Sequence, residues 1–181
     1  MGSKGQKPGI QQLSSQHETS CDAKGRIGLP QHFRKHLGDE VTVLKWKDHL
    51  MVIHPDNFEQ LAGFVGQRLS LSNAEGVRNF FNPKARRDRR YFFGNKFDLS
   101  FDAQGRLTIP KTLRDSLDLY SDVIWVGCGD YVELWAKKHY TDDCARWEEA
   151  GGYDELFADE PPLDNPSAHE DGSGDEGEPR S

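Results

Sequence analysis

The chain has 181 residues, with 23 Lys+Arg against 30 Asp+Glu for a formal charge of −7, and a mean hydropathy of −0.80. At 35% hydrophobic and 29% charged it falls below the apolar share of an ordinary globular domain, so part of it is expected to build no core. No run of even 10 apolar residues exists, which excludes a membrane-spanning helix, and MGSKGQKPGIQQLSSQ has no apolar leader region, so the expected compartment is the cytosol.

From the N-terminus, residues 1–15 are rich in Gly, Lys, Gln and Ser and are expected to be a disordered extension. A short strand over about 17–21 runs into the turn Asp22-Ala-Lys-Gly-Arg26. Asp suits this turn because its carboxylate can cap nearby backbone N–H groups, and Gly25 because it tolerates φ > 0. A second strand, 26–29, ends at Pro30. Proline is pre-set for the first position of a helix, here a short one with Phe33 and Leu37 inward and a stop at Gly38. The β-branched and aromatic runs 41–46 and 50–53 read as a hairpin turning at Lys47-Asp48. Apolar residues at 58, 61, 64, 65 and 69 give residues 56–69 a helical period. Pro83 then opens a further helix, Pro83-Lys-Ala-Arg-Arg-Asp-Arg-Arg-Tyr-Phe-Phe93.

At residue 96 the chain begins again. Ser20 to Leu37 aligns with Ser100 to Leu117 at an offset of 80, and 8 of the 18 positions are identical. The pairs Ile27/Leu107, Leu29/Ile109 and Phe33/Leu113 are conservative. Asp102-Ala-Gln-Gly-Arg106 repeats the turn and Pro110 the helix start, with Leu113 and Leu117 inward. Val123 to Val126 and Tyr131 to Trp135 repeat the hairpin, now turning at Gly127-Cys128-Gly129-Asp130, and a helix follows from Lys137 to about Glu149. From Asp154 to Ser181 ten acids face a single base, Arg180, whereas residues 1–153 hold 20 acids and 22 bases. A tail so acidic and so poor in apolar residues cannot bury enough surface to order itself.

Four strands around one short helix bury little, so each copy needs the other. The expected fold is a β-rich α+β body of two tandem ββαββ halves packed on a pseudo-twofold axis, with interleaved helices and a disordered acidic tail. Its boundaries fall at 1–15, 16–95 for the first copy with its helical linker, 96–150 for the second copy with its C-terminal helix, and 151–181. Cys21, Cys128 and Cys144 are widely spaced, odd in number and form no CxxC pair, which suits reduced thiols rather than disulfides or a zinc site.

The Asp-x-x-x-Arg turn used twice, each followed by an apolar-Pro-x-x-Leu/Phe-Arg stretch, together with the linking NPKARRDRRYFFG segment, resembles the MraZ family over roughly residues 16–149. Cys21 and Gly28 depart from the family pattern, which has a larger apolar residue and a β-former there. The resemblance implies two AbrB-like, swapped-hairpin halves and a transcriptional regulator whose Asp-x-x-x-Arg arginines touch DNA, here Arg26 and Arg106. It further implies a ring-like homo-oligomer on repeated promoter sites of the division and cell-wall operon.

A braced, exposed guanidinium can meet guanine O6 and N7 with two parallel hydrogen bonds, so Arg26 and Arg106 are the expected base-reading residues. Lys24 and the turn amides are placed to hold phosphates, Gln104 is the DNA-facing residue that replaces this lysine beside Arg106, and Asp22, Gly25, Asp102 and Gly105 brace the turns. The bland reading of each Asp–Arg pair is a bridge that only staples its turn. Arg86, Arg87, Arg89 and Arg90 form a basic helix face that either tracks phosphates or, as the family motif favours, pairs with acids across a subunit contact while Tyr91, Phe92 and Phe93 enter the core. His32 and His36 lie four apart without a third ligand nearby, so no metal site is expected. Nor is any catalytic residue, cofactor or small-molecule substrate, since no nucleophile elbow, P-loop or GxGxxG is present. The expected partners are double-stranded DNA and further copies of the chain, in a cytoplasmic, nucleoid-associated setting. The rival reading is an AbrB-like antitoxin or interaction module whose acidic tail binds a partner protein.

Overall fold

The computed structural model describes residues 13–69 and 81–156. In chain order the elements of the first copy are β1 (Leu13–Ser20), β2 (Arg26–Gly28), α1 (Gln31–Leu37), β3 (Glu40–Trp46) and β4 (His49–Ile53), followed by α2 (Pro55–Leu69) and α3 (Pro83–Gly94). The second copy supplies β5 (Lys96–Ser100), β6 (Arg106–Thr108), α4 (Lys111–Leu117), β7 (Asp122–Gly129) and β8 (Tyr131–Ala136), then α5 (Lys137–Glu149) and α6 (Gly152–Leu156). Two compact units divide the chain, Met1–Asp143 and Cys144–Ser181. In the second, Trp147 and Tyr153 meet edge to edge-on face with ring centroids 4.9 Å apart. The helix α6 occupies the start of the segment expected to be disordered from residue 151; residues 1–12 and 157–181, also expected to be disordered, lie outside the described residues.

The first unit is a mainly sheet α+β structure whose described strands all pair antiparallel. Each copy keeps its own hairpin, β3–β4 or β7–β8, but gives its first strand away. The strand β1 pairs with β7 of the second copy, and β5 pairs with β3 of the first. The six-stranded order is β1-β7-β8-β4-β3-β5, so counting inward from either edge meets the same succession of counterparts. The remaining strands, β2 and β6, pair with each other as a separate two-stranded ribbon. Neither copy therefore completes a sheet alone.

Strand alternation gives the sheet two different faces. The inner face, with Val41, Val43, Leu50, Val52, Val123, Trp125, Val132 and Leu134, packs against Ile27 and Leu107 of the ribbon and against Phe33, Leu37, Leu113 and Leu117 of α1 and α4. Each such fully buried side chain contributes about 1.5–3 kcal/mol by leaving water. The outer face is smaller: Leu44 and Ile53 meet Phe58 of α2, with Met51, Phe92 and Tyr131 at the margin.

The structure departs from the sequence expectations in four places. The strand β1 starts at Leu13 rather than near 17, because it lies along the whole of β7 from Ser20↔Asp122 to Leu13↔Gly129. For the same reason Gly127, Cys128 and Gly129 are strand, not hairpin turn. A Cβ on Gly127 would fall 2.6 Å from the Leu13 carbonyl, so glycine there admits a neighbouring backbone. Pro30 and Pro110 stand just before their helices rather than at the first helical position. Both keep an extended ψ, 138° and 139°, while their carbonyls accept from the Arg34 and Arg114 amides at 3.1 Å. Finally, three consecutive helical residues cannot share one face. Only Phe92 packs against the outer core, while Tyr91 is 65% and Phe93 37% exposed.

Paired arginine turns on a shared ribbon: the candidate functional site

Between β1 and β2 the chain reverses over Asp22–Arg26. The Asp22 backbone N–H donates to the Arg26 carbonyl at 3.0 Å, and Gly25 N–H to the Asp22 carbonyl at 2.8 Å with φ at 79°. The carboxylate does the rest. Its Oδ1 accepts from the amides of Lys24 (2.8 Å) and Arg26 (3.0 Å), while Oδ2 accepts from Arg26 Nε (2.7 Å) and Nη2 (2.6 Å). One side chain thus caps two amides and clamps a guanidinium. The second copy reproduces the turn: Asp102 Oδ1 accepts from the Gln104 and Arg106 amides, both at 2.9 Å, and Oδ2 from Arg106 Nε (2.8 Å) and Nη2 (2.7 Å), with Gly105 at φ 74°. One difference stands out. Arg106 Nη2 also donates to Gln104 Oε1 at 3.0 Å, where the first copy has Lys24, which has no acceptor.

The ribbon joins the turns. Its register, Arg26↔Thr108, Ile27↔Leu107 and Gly28↔Arg106, sends Ile27 and Leu107 into the core and puts Arg26 and Arg106 on the opposite face. Each turn glycine is also held by the other copy: Leu29 N–H donates to the Gly105 carbonyl at 3.1 Å, and Ile109 N–H to the Gly25 carbonyl at 2.9 Å. Trp125 on β7 fixes the ribbon to the sheet, its indole N–H donating to the Gly28 carbonyl at 2.8 Å.

Arg34 and Arg114 are identical positions of the repeat to which the sequence alone assigns no role. Each lies against the turn of the opposite copy. A Cβ added to Gly25 would sit 2.5 Å from Arg114 Nε, and one added to Gly105 would sit 3.0 Å from Arg34 Nη1. Arg114 Nε donates to the Ile109 carbonyl at 3.1 Å, and Arg34 Nη2 bonds Asp39 at 2.8 Å. The signal that could have found them is a polar residue retained in both copies between two core positions, Phe33 and Leu37 or Leu113 and Leu117.

The hydrogen bond from the Arg26 guanidinium, aided by the Arg26 and Lys24 amides, holds the Asp22 carboxyl at about 2, and Arg106 lowers that of Asp102 in the same way. A carboxyl depressed in the folded chain stabilises it above the ordinary carboxylate range. That contribution is complete above pH 4 and is lost as pH falls toward 2. A carboxyl-carbon NMR titration is expected to give Asp22 a midpoint near 2, with the Lys24 and Arg26 amide signals moving at the same midpoint. A midpoint at the ordinary value would mean that the clamp does not persist in solution.

The other candidates fall elsewhere. Arg86, Arg87, Arg89 and Arg90 are exposed on α3, which covers the outer face of the sheet, whereas the ribbon packs on the inner face. Asp88 in their midst pairs with Lys84 at 2.7 Å. His32 and His36 are both exposed, His32 Nε2 lying 3.2 Å from Ser15 Oγ. Among the described residues no group of three metal-ligating side chains forms, and no helix is long and apolar enough to cross a membrane. Asp22 and Asp102 are each committed to their own arginine.

Two copies of one unit that exchange strands and share a ribbon of clamped arginines define a tandem-repeat β-ribbon protein. The family model described as MraZ protein, antitoxin-like, matches residues 13–82 and 92–151, and the chain belongs to the MraZ family. It is 36% identical over 135 residues to the transcriptional regulator MraZ of Lachnoclostridium phytofermentans, covering 75% of this chain and 83% of the relative. The protein of the same name from Bifidobacterium longum is 34% identical over 148 residues (81% and 91%), and that from Halothermothrix orenii 30% over 139 (76% and 83%).

Proposed function

We propose that this chain is a sequence-specific, DNA-binding transcriptional regulator that reads duplex DNA with the Asp22–Arg26 and Asp102–Arg106 turns. The observation that carries this is the shared ribbon, with both arginines on its solvent face and both guanidinium groups pre-clamped by a carboxylate. A two-stranded antiparallel ribbon fits the major groove, and a guanidinium already fixed in place loses little freedom on meeting a base. Lys24 and the turn amides position phosphates, and Asp22 and Asp102, which would repel them, act through their arginines. Relatives named as transcriptional regulators support the same reading.

In this reading the two copies are related by a pseudo-twofold axis between β8 and β4, which the palindromic strand order supports. The chain acts as a ring-like homo-oligomer on repeated promoter sites of the division and cell-wall operon, in the nucleoid, because several copies of one small ribbon gain affinity through avidity. Trp46 (45% exposed), Tyr91 and Phe93 offer the outer face for self-association.

The test is binding of promoter duplexes by the full chain across a salt series, for wild type and Arg26→Ala. Specific wild-type binding that weakens steeply with salt, and a variant some tenfold or more weaker, are expected, since a bidentate base contact is worth about 1–3 kcal/mol. If Arg26→Ala binds like wild type, the arginines of α3 replace the turn as candidate. If neither protein binds DNA, the antitoxin-like interaction reading takes over.

A further inference from the structure

The two turns differ at a single polar position, and that difference falls on the atoms a base would need. A guanidinium has five N–H donors and two edges suited to a bidentate acceptor, Nε with Nη2 and Nη1 with Nη2. In both turns the aspartate takes the first edge. Arg26 then keeps one N–H on Nη2 and two on Nη1, so among the described residues its second edge is uncommitted. Arg106 does not keep it. The remaining Nη2 N–H goes to Gln104 Oε1 at 3.0 Å, which leaves only the Nη1 donors. Lys24 in the first copy cannot do the same, because an ammonium only donates and carries the same charge as Arg26.

We propose that Gln104 is a latch that withholds the reading edge of Arg106, so that each chain has one base-reading arginine, Arg26, and one positioning turn. This rests on the DNA-binding reading above and makes it asymmetric. Two equal turns on a twofold-related ribbon would read a palindromic element. With one turn latched, the footprint of a chain gains a direction, set by Lys24 in one copy and Gln104 in the other. To read a guanine with Arg106 the chain has to break a charge-assisted hydrogen bond, a cost that Arg26 does not carry. Gln104 is thus a specificity-determining residue that acts through the arginine beside it.

Two measurements on the full chain test this. The first needs no DNA. Guanidinium 15N NMR is expected to show slower Nη rotation for Arg106 than for Arg26, and the difference is expected to vanish in Gln104→Ala. Equal rotation in the wild type overturns the latch. The second uses a duplex that the wild type selects from a random-sequence pool, remade with each guanine in turn replaced by 7-deazaguanine, which lacks the N7 acceptor. Arg26→Ala is expected to bind that duplex at least tenfold more weakly and to ignore the replacements, while Arg106→Ala, which uncovers Asp102 as Arg26→Ala uncovers Asp22, loses less than Arg26→Ala and keeps the wild-type pattern of sensitive guanines. Gln104→Ala and Gln104→Lys are expected to acquire sensitivity at a guanine the wild type ignores. Loss of guanine sensitivity in Arg106→Ala, or no new sensitive guanine in either Gln104 variant, overturns the proposal. If the wild type selects no sequence, the DNA-binding reading fails and takes the functional role of the latch with it, whatever the NMR shows.

Discussion

Trp125→Ala is expected to lower folding stability by about 3–5 kcal/mol, the range for deleting a buried aromatic side chain from a packed core. Trp125 is 0% exposed and the largest of the fully buried side chains. It sits on β7, in the second copy, yet its indole N–H is bonded to Gly28 in the first copy's half of the ribbon. No equivalent residue takes up the load, because Val43 holds the matching place on β3 and has no polar handle. Urea unfolding of wild type, Trp125→Ala and Trp125→Phe separates the parts. Phenylalanine keeps most of the apolar volume and loses the bond to the Gly28 carbonyl, so it is expected to cost about 1 kcal/mol. For a chain of this size the alanine variant is expected to melt on the order of 10 °C lower. A cost below about 1 kcal/mol for alanine would mean that the inner face collapses into the space, against the close packing seen there.

What made this molecule legible is that its repeat is written in residues with strong local meaning. Asp at the first position of each turn, Gly at the fourth and Pro after the second strand act within a few residues of where they stand, so the turns, short helices and hairpins follow from the chain itself. Pairing partners are a different matter. Nothing local in Leu13-Ser-Ser-Gln-His17 says that these residues lie on β7, more than 100 residues away, and their polar character reads as a loose end. Gly127 illustrates the same limit. Glycine marks either a turn or a close approach of another backbone, and only the position of β1 decides between them. Arg34 and Arg114 were visible as identities but not as parts of the site, since each works on a turn that it reaches only through the fold.

The candidate site was legible to the same degree. Asp22, Gly25 and Arg26, with their counterparts, were readable because the clamp is closed within five residues. The Gln104 bond to Arg106 lies inside that span too, but a glutamine beside an arginine is too common a pairing to predict a geometry. The arginines of α3 were ambiguous for a physical reason: a run of like charge on a helix states that one face is solvated, not which side of the sheet the helix covers. The two cores resolve it, one behind the ribbon and the other beneath α3.

Gly127→Ala is expected to peel the first residues of β1 away from the sheet while leaving the Asp22–Arg26 turn intact. The new methyl group would meet the Leu13 carbonyl carbon and oxygen at 2.6 Å and the Ser14 nitrogen at 2.8 Å. These are backbone atoms, which cannot swing aside as a side chain can. Among the described residues the strand β1 is at the edge of the sheet with β7 as its one paired strand, and it is already bent at this point, with Ser15, paired to Gly127, at φ 110°. A non-glycine residue held there stores about 1–3 kcal/mol, so the pairing at this end has little to spare. Release of residues 13–15 also exposes Leu13, which is 3% exposed in the sheet, and forfeits about 2–3 kcal/mol of apolar burial. Because β1 is an edge strand, only alternate amides donate to β7; continuing from the Cys21 N–H bond to the Ser121 carbonyl, these are Thr19, His17 and Ser15, so hydrogen exchange is expected to speed up at Ser15 and to stay slow at Thr19, whose pairing with Val123 leads into the Asp22 turn. DNA affinity is therefore expected to change less than threefold. A double-mutant cycle sharpens the case: if the alanine has already cost the chain its Leu13 contact, then Leu13→Ala adds nothing further in that background, although it costs about 2–3 kcal/mol alone. Fully additive losses, or unchanged protection at Ser15, would mean that the sheet absorbs the methyl group by shifting β1 bodily and that Gly127 is not required for the exchange of strands between the copies.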